Sequence, residues 1–98
     1  MDVNYVLQSI CFQWDSDKAI QNLRKHEIDL KVACETFFDP LVFCLESEIV
    51  SNEERERLIG LTYTYRLLYV VYTERDDVIR IISARPVTIK ERMRYENR

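Results

Sequence analysis

The chain has 98 residues, of which 47% are hydrophobic and 32% charged; this suits one soluble domain spanning residues 1–98 and leaves too little chain for two cores. One glycine and two prolines make no flexible linker, and a net charge of −3 argues at first sight against a polyanion ligand. There is no basic leader followed by an apolar stretch, and no run nears the ~18 apolar residues of a membrane span, so the expected location is cytoplasmic, away from the membrane.

In chain order, Met1 to Ser9 is weakly patterned and reads as a frayed leader, and Ile10 to Trp14 reads as a short strand. Asp15 is a suitable N-cap for a helix over Ser16 to His26, with Asp17 in its first turn. Ala19, Ile20 and Leu23 form that helix's apolar face, while Lys18, Asn22 and Lys25 share another. Asp29 caps a second helix over Leu30 to Phe38, stopped at Asp39-Pro40 because proline disfavours helical backbone in the residue before it. Leu41 to Ile49, Glu54 to Tyr65, Leu67 to Thr73 and Val78 to Ala84 then read as four strands. The turns between them are too short for parallel crossovers, which predicts an antiparallel meander, with Gly60 as a bulge or a close-contact point. Thr88 and Glu91 have capping-box spacing at the start of a terminal helix that runs to about Asn97. The fold class is therefore α+β: a short strand, two helices, a meander and a C-terminal helix.

Charge is unevenly distributed. Residues 80–98 carry six basic and two acidic groups, giving +4, while residues 1–79 carry eight basic and fifteen acidic, giving −7. Such a dipole can engage a polyanion at one end, or it can simply solvate a charged helix. Cys11, Cys34 and Cys44 lack CxxC spacing and read as reduced core thiols, and one histidine with scattered cysteines makes no metal set, so no cofactor is expected. His26 is the sole histidine, the residue type suited to proton transfer near neutral pH, although a lone histidine can equally cap a helix. Arginine is the remaining chemistry: Arg55 and Arg57 lie on one strand, Arg80 and Arg85 on another, and Arg92 and Arg94 on the last helix. Arginines on strands need carboxylates or phosphates as partners. Either they stabilise a phosphoryl transition state, with Lys25 or His26 moving the proton, or they pair with Glu53, Glu54, Glu74 or Glu91.

The order of residues adds to this. FQWDSDKAIQNLRKHEIDL, ACETFFDP, NEERERLIG and LLYVVYTERDDVIRIISARPVTIKERMRYE, along residues 12–96, resemble the BrnT family of type II toxins. The resemblance implies a RelE-like fold and a ribonuclease that arrests translation. It also implies a BrnA-like antitoxin partner, with operator DNA bound only through that antitoxin. Matching positions are Trp14, Lys25, His26, Arg55, Arg80 and Arg85. The expected catalytic set is Lys25, His26, Arg55, Arg80 and Arg85, with Lys18, Arg57, Arg92 and Trp14 contacting RNA. Trp14 can stack on a base, worth about 1–3 kcal/mol, or belong to the core. Glu27 stands where the family usually has a glycine, so the first helix must end at some cost or extend. Asn52 replaces another common glycine and tolerates the left-handed conformation better. Glu27 and the acidic first 79 residues also suit a second reading, a non-catalytic protein-binding module on a toxin fold.

Overall fold

The computed structural model describes residues 1–98. The strands are β1 (Asp2–Leu7), β2 (Ile10–Asp15), β3 (Phe43–Cys44), β4 (Glu48–Val50), β5 (Glu53–Leu61), β6 (Leu67–Arg75) and β7 (Val78–Pro86). The helices are α1 (Ser16–His26), α2 (Leu30–Glu35), continued by a 3-10 turn over Thr36–Phe38, and α3 (Ile89–Glu96). One mixed sheet runs β1-β2-β7-β6-β5-β3, with β4 also on β5. The meander β4-β5-β6-β7 is antiparallel as expected, and β2 adds to β7 in parallel. No helix is long and apolar enough to cross a membrane.

Several expectations need correction. The frayed leader is strand β1, closed onto β2 by a Gln8-Ser9 turn with both residues at positive φ and no glycine to announce it. The single strand expected over Leu41 to Ile49 is two short strands. Between them the Glu46 carbonyl accepts from the Arg57 guanidinium at 2.7 and 3.1 Å, taking it out of the ladder. Only Cys34 is a core thiol, raised to about 12 by burial and then by Asp29, while Cys11 and Cys44 are exposed. Gly60 is the close-contact point, since a Cβ there would sit 2.8 Å from Thr36 Cβ and from its carbonyl oxygen. The bulge is instead on β7, where Val71 faces Ser83 and Tyr72 faces Ile81, leaving Ile82 unopposed.

The core lies between one sheet face and helices α1 and α2. Phe12, Trp14, Leu58, Val70, Ile81 and Ala84 meet Ile28, Leu30 and Ala33 there. Trp14 is 4% exposed and tilted against Tyr5, so its place is the core and not a base-stacking surface. On α1 the expected apolar face is only partly used: Ala19 packs against the core, but Ile20 and Leu23 are about half exposed. The helix turns a different side inward, with buried Asn22 at its centre.

Candidate active site

Strand alternation, read through the register, places Arg55, Arg57, Tyr69, Val71, Thr73, Arg80, Ser83 and Arg85 on the sheet face opposite α1 and α2. Arg85 is five positions beyond Arg80, and in a regular strand an odd offset puts two side chains on opposite faces. The Ile82 bulge restores them to one face. Meanwhile β2 leaves β7 after Gln13↔Arg80 and the chain turns into α1, which continues along the same β7 edge.

Where α1 meets that edge is a cavity of about 440 Å³ lined by Lys18, Gln21, Asn22, Lys25, His26, Arg55, Ile82, Ser83 and Arg85. Asp15 starts α1 by accepting from the Lys18 N–H at 3.1 Å. The helix ends after His26 because Glu27 adopts φ 59°, ψ 30°, so termination at a cost is the outcome of the missing glycine. Lys18, Gln21, Asn22 and Lys25 follow helical i, i+3, i+4, i+7 spacing and line the cavity together, with His26 at its corner. From the sheet come Arg55 on β5 and Arg85 on β7.

Arg85 is held in place. Its Nη1 and Nη2 donate to the two Glu91 carboxylate oxygens at 2.8 and 2.9 Å, and its guanidinium lies 4.0 Å over the Tyr69 ring. Glu91 also accepts from the Thr88 N–H and closes the capping box that starts α3. The hydrogen bond from Arg85 comes first among the causes that hold the Glu91 carboxyl below its ordinary value, against the opposing effect of burial. Arg55 has a looser partner, Glu53 at 3.6 Å, and its buried Nε makes no hydrogen bond. Lys18 and Lys25 are exposed and make no ion pair.

The other expected site residues are elsewhere. Arg80 shares the sheet face of Arg55 and Arg85 but leans away to Asp2 at 3.0 Å and Gln13 at 2.6 Å, outside the cavity lining. Arg57 is tied to the Glu46 carbonyl and the Tyr69 hydroxyl, and that hydroxyl leads the causes raising its pKa. Arg92 is exposed on α3, apart from the cavity. Sequence reasoning missed Gln21, Ile82 and Ser83 as lining residues. Helical spacing from Lys18 would have found Gln21, whereas Ile82 and Ser83 depend on the bulge.

The family model for the BrnT ribonuclease toxin of type II toxin–antitoxin systems matches residues 14–91. The crystal structure of the Brucella abortus ribonuclease toxin BrnT matches with a TM-score of 0.52 at 17% identity, over 76% of this chain and 92% of that one, which shows a shared fold. No curated relative matches the sequence.

Proposed function

The chain belongs to the BrnT family of type II toxin–antitoxin ribonuclease toxins, and from that premise we propose that the cavity between α1 and β7 is where it cuts RNA. One observation carries the reading: two lysines, a histidine and two arginines line a single cavity whose lining contains no carboxylate. Arg55 and Arg85 hold the scissile phosphate and stabilise the charge that builds on it, while Lys18 and Lys25 draw in the backbone. The 2′-oxygen attacks phosphorus as its proton leaves, the bond from phosphorus to the 5′-oxygen breaks, and that oxygen is protonated. The products are a 2′,3′-cyclic phosphate and a 5′-hydroxyl. Lys25 and His26, adjacent at the end of α1, move the protons. A carboxylate-free lining is a poor seat for a divalent cation, which supports chemistry without metal. Cleavage of cytoplasmic RNA would halt translation.

Membership of a type II system implies an antitoxin partner. We take it to be BrnA-like, with operator DNA reached only through it. Incubating the purified chain with single-stranded RNA in EDTA tests the reading. Cyclic-phosphate ends are expected, whereas no cleavage in either EDTA or magnesium would leave the non-catalytic binding module as the better account.

A further inference from the structure

Asn22 sits between the two walls of the cavity and is 6% exposed, an unusual place for an amide unless both its ends are used. Both are. Its Oδ1 accepts from the Ala84 N–H at 3.0 Å, and its Nδ2 donates to the Ile28 carbonyl at 3.0 Å. Ala84 lies between Ser83 and Arg85, on the β7 edge that β2 has abandoned after Arg80, so this amide satisfies an edge N–H that no strand reaches. Ile28 lies two residues after His26, just beyond the left-handed Glu27. One side chain therefore ties the corner that carries Lys25 and His26 to the strand segment that carries Arg85. Lys25 and His26 themselves make no hydrogen bond to β7.

We propose that Asn22 is a positioning residue for RNA cleavage, its amide bridge from Ala84 to Ile28 setting the distance between the proton-moving end of α1 and Arg85. The inference rests on the ribonuclease reading of the cavity. A shift of about 1 Å between groups acting on one phosphate can cost a hundredfold in rate, whereas binding of a flexible backbone to separate cations tolerates it. The test compares wild type with Asn22→Ala, which removes both bonds, at saturating RNA, alongside affinity for a 2′-deoxy RNA that cannot be cut. The expected result is a kcat at least tenfold lower, with KM and the affinity for the deoxy analogue within threefold of wild type, and loss of amide-exchange protection at Ala84. Should Asn22→Ala fail to fold, Asn22→Asp keeps the acceptor for Ala84 and loses the donor to Ile28, and its kcat at saturation is expected to fall at least tenfold. A folded variant with wild-type kcat, or one whose loss lies wholly in KM or in melting temperature, overturns the proposal. If the wild type itself cuts no RNA, the ribonuclease reading fails first and this role falls with it; cleavage by the wild type, with a folded variant that matches its kcat, overturns the role of Asn22 alone.

Discussion

Glu91→Gln should lower stability and tighten RNA binding together, because Glu91 stabilises α3 with the same carboxylate that neutralises Arg85. The amide can retain a bond to the Thr88 N–H and one to Arg85 but loses the charge. Charge-assisted bonds contribute about 1.5–3 kcal/mol. With the Arg85 side chain 33% exposed and that of Glu91 18%, solvent screening trims the loss to about 1.5 kcal/mol. For a chain of this size that lowers the melting temperature by about 6–12 °C. The gap depends on pH. Glu91 is held below its ordinary value of 4.5, so its contribution is complete above that value and is lost as pH falls through the depressed folded pKa. Wild type and variant should thus differ by a constant amount near neutrality and converge in acid. In the cavity, Arg85 loses its counter-charge. A unit charge ~10 Å from a phosphate contributes about 0.4–1.7 kcal/mol for effective dielectric constants between 80 and 20, so the Kd for 2′-deoxy RNA should fall by about 2- to 15-fold at low ionic strength. Thermal melts across pH and fluorescence anisotropy with the deoxy RNA read both effects. A folded variant that binds RNA more weakly would refute the argument, since Glu91 would then be aiming Arg85 at the phosphate and not competing with it.

Alanine at Arg55 or Arg85 should reduce kcat by about a hundredfold or more, as for loss of a donor to a developing anion; Arg80→Ala should stay within about threefold because Asp2 and Gln13 hold Arg80 outside the cavity. Equal losses in all three would show that the whole sheet face, and not the cavity, is the site. Glu27→Gly should raise the melting temperature, since Glu27 holds a left-handed conformation that costs a side-chain-bearing residue about 1 kcal/mol. A lower melting temperature would mean that the Glu27 side chain makes up that cost.

The elements were largely legible because their signals are local. Asp15, Asp29 and Thr88 all cap the helices they were expected to cap, and Ser51-Asn52 turns with both residues at positive φ. The polar stripe of Lys18, Asn22 and Lys25 was visible as helical spacing and does line the cavity. What was hidden is relational. Nothing local says that Ile82 is unopposed, and without that bulge Arg80 and Arg85 would face opposite ways. Nor does composition say that Arg80 will find Asp2 on a strand that looked like a leader, which is why it appeared as strong a candidate as Arg85.

Strand geometry also accounts for a cationic site on a chain of negative net charge. The β5 segment Glu53–Arg57 reads acid, acid, base, acid, base, and a strand sends alternate residues to opposite faces. Glu53, Arg55 and Arg57 go to the face that carries Arg80 and Arg85, while Glu54 and Glu56 go to the other, near Glu74. Crowding there acts on protonation: burial first, then Glu54, pushes the Glu56 carboxyl above its ordinary value. An RNA strand laid over the arginine face would meet Arg55 and Arg85 at contact range, with Glu54, Glu56 and Glu74 behind the sheet and Glu53 and Glu91 already paired to arginines. At physiological salt, charges farther than about 8 Å away are largely screened, so a chain of net charge −3 can still present a locally cationic site. Its RNA affinity should accordingly follow the few phosphates that touch Lys18, Lys25, Arg55 and Arg85, and not the sign of the whole molecule.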